Sequence, residues 1–210
     1  MNIAAIMPCR GRAEQTIANV RRLLVTAGYA DWRLVCVCDG DATLGRQLEA
    51  ADIEVIWSDV RRGYWHSLTS GMLAADAPFL VNLANDLLPG QHWLKRAVEA
   101  YHETFGAGDG MIGFNDGHHE LMHSCHFLIS RALLDRYGGW PTWYDHNYGD
   151  TELCQRAIAD GVYAKAPWAV LYHDHPYFGG ADDAVYAEGR AQEERDRQLY
   201  EQRRRAGWPR

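Results

Sequence analysis

The chain has 210 residues, 47% hydrophobic and 23% charged, values that fit one globular α/β domain and not a disordered chain. Its formal net charge of −7 argues against binding duplex nucleic acid through phosphates, because that requires a basic face. No apolar run approaches the roughly 18 residues needed to span a bilayer. We therefore expect no membrane insertion, no signal peptide and a cytoplasmic location.

The cysteines also indicate a cytoplasmic location. There are five of them, an odd number without a C-x-x-C pair, which is typical of reduced thiols in a cytoplasm. Cys36 and Cys38 lie two apart in a predicted strand, so they share one face. They are predicted to be core residues and not metal ligands.

Apolar runs alternate with amphipathic stretches over the first two thirds of the chain. Strands are predicted at 3–7, 34–38, 55–57 and 79–84, and helices at 13–27, 44–51 and 65–75. Such alternation indicates a mostly parallel sheet with helices on both faces.

The pattern changes after about residue 108. Further strands are predicted at 111–114, 126–130 and 169–172, with helices at 131–137 and 150–159 and one solvated, charged helix at 184–205. We therefore predict a single domain over 1–180, followed by a charged helical tail at 181–210. Within that domain, 1–108 would form a nucleotide-binding half and 109–180 an acceptor-binding half.

Polar side chains collect where the predicted strands end. Arg10 and Arg12 follow the first strand, Asp39 and Asp41 the second, and Asp86 the fourth. In open α/β sheets ligands bind at the carboxyl ends of the strands. The sequence thus predicts one rim that carries both cationic and anionic groups.

The order of these motifs resembles family 2 glycosyltransferases of the GT-A fold, over about residues 3–176. The motifs are Pro-Cys-Arg-Gly-Arg at 8–12, Cys-Asp-Gly-Asp at 38–41, glycines at 63 and 71, Leu-Ala-Asn-Asp at 83–86, and Asp-Thr-Glu-Leu at 150–153 before Arg156. Residues 183–186 are similar to small phage and bacterial members. The resemblance implies a single Rossmann-like GT-A domain, with a mostly parallel central sheet flanked by helices.

The resemblance also implies transfer of a sugar from a nucleotide-diphosphate sugar, with UDP as the expected nucleotide. A leaving diphosphate needs its charge neutralised, and Mn²⁺ or Mg²⁺ does this in such enzymes. Asp86 would be one ligand, and His173 or His175 would supply an imidazole, which Mn²⁺ accepts. Ala84 departs from the family's Asp-x-Asp, so the first carboxylate of that motif is missing.

The donor site is predicted on the same rim. Asp39 is placed to accept a hydrogen bond from the base, and Asp41 from the ribose. Arg10 and Arg12 are placed to meet the diphosphate or the base edge, although both also suit a solvated loop. The remaining predicted donor contacts are Pro8, Gly63 and Asn85. For Asp39 the alternative is a turn residue before Gly40.

Asp150 is the predicted general base of an inverting reaction, in which a carboxylate takes the proton of the attacking hydroxyl. Glu152 is the second choice. A retaining reaction needs no such base. The structural alternative for Asp150 is a helix N-cap, which does not exclude catalysis. The acceptor would be a glycan, a lipid-linked glycan, a protein, a small molecule or a modified nucleobase.

Two other functions fit parts of the sequence. His119-Glu120-Leu121-Met122-His123 matches H-E-x-x-H, which on a helix would bind Zn²⁺ and make a metalloprotease with Glu120 as base. The nearby Asp116-Gly117 leave little room for the turns of helix that such a site uses. The missing Asp of Asp-x-Asp also allows a noncatalytic nucleotide-binding module.

Overall fold

The computed structural model describes residues 1–118 and 123–209, with the backbone only of Phe178. The strands are β1 Ile3–Cys9, β2 Trp32–Asp39, β3 Val55–Ser58, β4 Phe79–Asn82, β5 Leu87–Pro89, β6 Met111–Asn115, β7 Phe127–Ser130 and β8 Tyr163–His173. The helices are α1 Ala13–Thr26, α2 Ala42–Glu49, α3 Tyr64–Ala75, α4 Trp93–Phe105, α5 Arg131–Arg136, α6 Gly149–Ala159, α7 Ala184–Arg190 and α8 Glu193–Arg205, with a 3-10 turn at Pro176–Phe178.

The eight strands form one sheet in the order β3-β2-β1-β4-β7-β6-β8-β5. The first four strands of the chain run parallel, as predicted. The other half is mixed: β7 is antiparallel to β4 and to β6, β6 and β8 are parallel, and β5 is antiparallel to β8. The carboxyl ends of β1, β2 and β4 consequently meet at one edge, close to the end of β8.

Alternate residues of β1 pack on opposite faces of the sheet. Ile3, Ala5 and Met7 belong to the core under α1, α2 and α4, whereas Ala4 and Ile6 belong to the core under α3, α5 and α6. Helix α3 approaches β1 closely, because a Cβ added at Gly71 would lie 2.4 Å from Cγ2 of Ile6. That close approach requires the glycine at this position.

The predicted core position of Cys36 and Cys38 is confirmed. Cys36 and Cys38 are buried on the same face, and the five cysteines are free thiols.

Strand β5 and helix α4 were not predicted. Helix α4 places Trp93, Leu94 and Tyr101 in the core. Within the described ranges, each helix is too short or too polar to cross a bilayer.

The prediction of one solvated helix at 184–205 is wrong in two respects. The segment breaks into α7 and α8 at Ala191 and Gln192, and α8 is partly buried against the domain. The carboxylate of Asp196 is fully buried. It accepts hydrogen bonds from three successive backbone N–H groups, those of residues 145–147, at 2.8 to 3.0 Å, and these bonds offset the cost of burying its charge. Tyr200 stacks on Tyr148 with ring centroids 5.1 Å apart. Abundant charge in α8 thus concealed a packed face.

Candidate functional site

The ends of the strands enclose a cavity of about 360 Å³. Of the twelve side chains predicted for the site, ten line this cavity: Pro8, Arg10, Arg12, Asp39, Gly63, Asn85, Asp86, Asp150, His173 and His175. Asp41 and Glu152 lie outside the lining found in the described part of the chain. The cavity also takes residues from α7 and α8, which the sequence patterns did not place there.

Arg12 is the central cation of the cavity. It caps α1 with left-handed backbone geometry, φ 54° and ψ 43°, and its side chain is 8% exposed. The guanidinium donates to both carboxylate oxygens of Asp183, at 2.5 and 2.8 Å, and to Oδ2 of Asp86 at 3.3 Å. It also lies over the ring of Tyr186, 3.8 Å from the centroid. Arg12 therefore joins the end of β1 to the carboxylate after β4.

Asp86 is 4% exposed. Its Oδ2 accepts a hydrogen bond from the hydroxyl of Tyr186 at 2.7 Å. Its Oδ1 lies 3.4 Å from Nε2 of His173 and, apart from this ion pair, has no hydrogen-bond partner among the described residues. Burial by itself raises the pKa of this carboxyl, but His173, Tyr186 and Arg12 outweigh burial and hold the pKa well below its usual range. Asp86 is thus an ionised carboxylate that faces an imidazole.

Two histidines at the end of β8, His173 and His175, lie beside Asp86 in the cavity. Burial lowers the pKa of His173, but Asp86 outweighs burial and raises the pKa to about 10. The ring of His175 lies 5.1 Å from that of His173, and its Nδ1 accepts the backbone N–H of Tyr177 at 3.2 Å. Burial and the charge of His173 lower the pKa of His175 to about 4. Asp86, His173 and His175 therefore share one part of the cavity.

The aspartates after β2 organise the backbone of neighbouring loops. Oδ1 of Asp39 accepts the N–H of Arg62 at 2.6 Å, and Oδ2 accepts that of Gly63 at 2.9 Å. Asp41 caps α2 through the N–H of Leu44 and accepts the N–H of Gly11, both at 3.0 Å. Asp39 still lines the cavity, and a carboxylate has lone pairs for more than two donors.

Asp150 lies in the first turn of α6, and the N-cap of that helix is Tyr148. Its Oδ2 is 3.5 Å from Nε2 of His123, and its Oδ1 accepts the N–H of Thr151 at 2.8 Å. Burial raises the pKa of Asp150, but the bond and charge of His123 outweigh burial and lower the pKa to about 2. The carboxylate is therefore ionised throughout the neutral range, at the edge of the cavity.

Glu152, the second choice for the base, points away from the cavity. It is fully buried, and its carboxylate accepts two hydrogen bonds from Arg203 at 2.8 and 2.9 Å and one from Tyr144 at 2.8 Å. Arg156 lies 3.3 Å away on the same helix. Because protein donors surround both oxygens, we assign Glu152 a structural role, in which it holds α8 against α6.

We expect Glu152→Gln to lower the free energy of unfolding by about 3 to 5 kcal/mol, the usual cost of removing one partner from a buried ion pair. Urea unfolding measures this change. Glu201→Gln is the matched control, because Glu201 pairs with the half-exposed Arg204 at 3.1 Å and its loss should cost less than about 1 kcal/mol. Unchanged stability of Glu152→Gln together with lost activity would instead make Glu152 catalytic.

Residues of the C-terminal segment contact the rim of the cavity, which the sequence patterns do not predict. Asp183 binds Arg12 and caps α7, and Tyr186 binds Asp86. The carboxylate of Glu188 accepts hydrogen bonds from Arg10 at 2.9 and 3.1 Å, and it lies 3.3 Å from Arg61. Acidic side chains of α7 thus neutralise the arginines of the rim. The sequence signal was slight: an Asp-x-x-Tyr-x-Glu spacing within a charged run.

The residues before β7 form another part of the lining. His123 and Cys125 both line the cavity, and Sγ of Cys125 lies 4.0 Å from Nε2 of His123. Of the H-E-x-x-H motif, His119, Glu120, Leu121 and Met122 lie outside the described residues. His123 itself meets Asp150, which is remote from the motif along the chain.

The sheet and its rim have the arrangement of a GT-A glycosyltransferase domain. The parallel strands end in loops that line the cavity, and the mixed half adds a carboxylate on a helix. The chain belongs to glycosyl transferase family 2, whose family model matches residues 4–156. A comparison with curated proteins gave no match.

Solved glycosyltransferases share the fold at low identity. The mannosyltransferase PcManGT from Pyrobaculum calidifontis, solved with GDP-Man and Mn²⁺, aligns with a TM-score of 0.69 and 17% identity over 85% of this chain and 58% of that one. A fragment of TarS from S. aureus aligns with a TM-score of 0.63 and 15% identity, over 82% of this chain and 60% of that one. The chain therefore spans less than two thirds of either protein.

Proposed function

We propose that the protein transfers a sugar from a nucleoside-diphosphate sugar to an acceptor hydroxyl, with a divalent cation and inversion at the anomeric carbon. One observation carries the proposal: a family 2 chain encloses two ionised carboxylates, Asp86 and Asp150, in the same cavity. Tyr64 lines the same cavity, and burial, with smaller contributions from the charges of both carboxylates, raises the pKa of its hydroxyl.

The donor set at the end of β8 fits Mn²⁺ or Mg²⁺. Nδ1 of His173 is buried and makes no hydrogen bond to a described residue, and Oδ1 of Asp86 has only its ion pair with Nε2 of His173 at 3.4 Å. A carboxylate with an imidazole suits Mn²⁺ better than Mg²⁺, which prefers oxygen. Asp86, His173 and His175 would hold the ion, and His173 would release its proton to solvent on binding. The ion would neutralise the charge of the leaving diphosphate. The Mn²⁺ of PcManGT supports the choice of ion.

The donor is expected between the ends of β1 and β2. Arg12 and Arg10 carry fixed positive charge and planar donors that suit phosphate oxygens. Asp39 is available as an acceptor for a base N–H, and Asn85 and Gly63 shape the loops beside it. We retain UDP as the proposed nucleotide, with GDP as the alternative that the PcManGT complex suggests.

In the proposed reaction the acceptor hydroxyl attacks the anomeric carbon as the bond to the diphosphate breaks. Its proton passes to the carboxylate of Asp150, and the diphosphate leaves with the bonding electrons. The cationic neighbour His123 keeps Asp150 ionised and lowers its basicity. Such a weak base accepts the proton late, when the attacking oxygen has become strongly acidic. The acceptor classes remain a glycan, a lipid-linked glycan, a protein, a small molecule or a modified nucleobase.

Nucleotide binding tests the proposal directly. We expect UDP with Mn²⁺ to raise the melting temperature, since a ligand that binds the native state stabilises it by mass action. A screen of UDP, GDP and their sugars, each with and without Mn²⁺, gives the base and the metal requirement. ADP and Mn²⁺ alone are the controls. If millimolar nucleotide leaves the melting temperature of the folded protein unchanged, donor binding is contradicted. If the melting temperature rises but no donor sugar is hydrolysed or transferred, a noncatalytic nucleotide-binding module is favoured.

The acidic residues of α7 compete with a diphosphate for the rim arginines. We expect Glu188→Gln to bind the nucleoside diphosphate about 1.4- to fivefold more tightly, because a partly exposed ion pair of about 0.2 to 1 kcal/mol no longer has to be broken. Calorimetric titration measures the affinity. Glu194→Gln is the matched control, since Glu194 pairs with Arg197 on the exposed side of α8. Weaker binding by Glu188→Gln would instead make Glu188 a direct contact of the donor.

A further inference from the structure

Beside Asp86 and His173 the cavity contains a second group of possible metal ligands, one of which, Cys125, also interacts with His173. Donor atoms of His123, Cys125 and Asp150 all lie within 4.8 Å of one another. Nε2 of His123 is 3.5 Å from Oδ2 of Asp150 and 4.0 Å from Sγ of Cys125. In a tetrahedral zinc site with bonds of 2.0 to 2.3 Å, ligand atoms are about 3.3 to 3.8 Å apart. These three groups are therefore within small side-chain movements of zinc-binding positions.

We propose that His123, Cys125 and Asp150 bind Zn²⁺ or a similar thiophilic cation. Imidazole, thiolate and carboxylate are the three ligand types that zinc uses in proteins. The side chains of His123 and Asp150 are 23% and 21% exposed, and all three residues line the cavity. An ion can thus reach these three side chains from the cavity.

Chemistry separates this site from the one at Asp86. A thiolate selects zinc over Mn²⁺ and Mg²⁺, which prefer oxygen ligands. Binding displaces the proton of the Cys125 thiol and the proton of the His123 imidazole, and both protons go to solvent. The charge of the ion then replaces that of the imidazolium beside Asp150. Cys154, one turn along α6, is near enough to His123 for the imidazole to lower its pKa, against a larger rise from burial.

Occupation of the site has a consequence that rests on the proposed function. Asp150 is the proposed base, and a carboxylate bound to zinc no longer accepts a proton readily. Zinc at this site would therefore inhibit transfer, whereas Mn²⁺ at Asp86 would support it.

Cobalt binding tests the site without donor or acceptor. Added Co²⁺ should give the near-ultraviolet thiolate-to-metal band in the wild-type protein, and Zn²⁺ should abolish the band at one equivalent. Cys125→Ser should lose the band, and His123→Gln should bind Co²⁺ at least about tenfold more weakly. Cys9→Ser is the matched control, because Cys9 also lines the cavity, and Asp86→Asn should keep the band.

Two results would overturn the site: no thiolate band at saturating Co²⁺, or a band that persists in Cys125→Ser. Circular dichroism of each variant shows that it is folded, and His123→Gln provides a second variant if Cys125→Ser is not. Full transfer by protein that holds one equivalent of Zn²⁺ would leave the site intact and refute Asp150 as the base. Failure of the zinc site and failure of the proposed function are thereby distinguished.

Discussion

Asp150→Asn is expected to lower the rate of sugar transfer by about 100-fold or more, the usual scale for loss of a general base. Asparagine keeps the size of the side chain and can still accept the N–H of Thr151, but it cannot take up the proton of the attacking hydroxyl. Donor affinity should change little, because the groups that we propose to bind the donor lie at the ends of β1, β2 and β4. Steady-state transfer kinetics and nucleotide titration measure the two quantities separately.

Asp135→Asn is the matched control for this variant. Asp135 is an exposed carboxylate on α5, and the same chemical change there should leave both rate and affinity unaltered. A transfer rate for Asp150→Asn near that of the wild type would exclude Asp150 as the base. A retaining reaction without a protein base would then account better for the cavity.

Asp86→Asn should abolish metal-dependent donor binding, with affinity for Mn²⁺ reduced by at least about 100-fold. Mutation of a residue that only orients a metal ligand already lowers metal affinity by about 10- to 100-fold. Asp86→Asn removes the charge of a proposed ligand itself, so its effect should be at least as large. The guanidinium of Arg12 keeps its two bonds to Asp183, so the variant should fold. Titration of Mn²⁺ by electron paramagnetic resonance and the melting temperature with UDP give the two readouts.

Asp174→Asn serves as the control for Asp86→Asn. The backbone N–H of Asp174 donates to the carbonyl oxygen of Asp86 at 3.1 Å, but its carboxylate lies outside the described lining of the cavity. It should bind Mn²⁺ and UDP as the wild type does. If Asp86→Asn retains wild-type Mn²⁺ affinity, the ion must be bound elsewhere, and the role of His173 falls with that of Asp86.

The parallel half of the fold was predictable because its signals are local. Each strand of that half is a short apolar run, each helix repeats its apolar residues at helical spacing, and the polar residues follow the strands directly. Asp39 and Asp86 could be placed on one rim from chain order alone, since parallel strands end at the same edge. Helix α4 has the same kind of pattern in Trp93, Leu94 and Tyr101 and was overlooked.

The remaining parts of the site depend on contacts that no local pattern encodes. Arg12 meets Asp183 across 171 positions, and Asp86 meets Tyr186 across 100. Residue type predicted a solvated helix for 184–205, because charged residues outnumber apolar ones there. Only the packed chain shows that some of those charges pair with rim arginines and that Asp196 is buried among backbone N–H groups.

The contacts of α8 with α6 and with the loop before it also determine when this part of the protein folds during translation. The ion pair of Glu152 with Arg203 joins residues 51 positions apart, and Asp196 is likewise 49 to 51 positions beyond the three N–H groups it accepts from. At 5 to 20 residues per second, a ribosome needs about 3 to 10 s to make that intervening stretch. Throughout this interval the nascent chain already carries Asp150 but lacks the residues that hold its helix. Translation thus produces the carboxylate of Asp150 before the residues that support its helix, so this part of the cavity is assembled only after α8 is made.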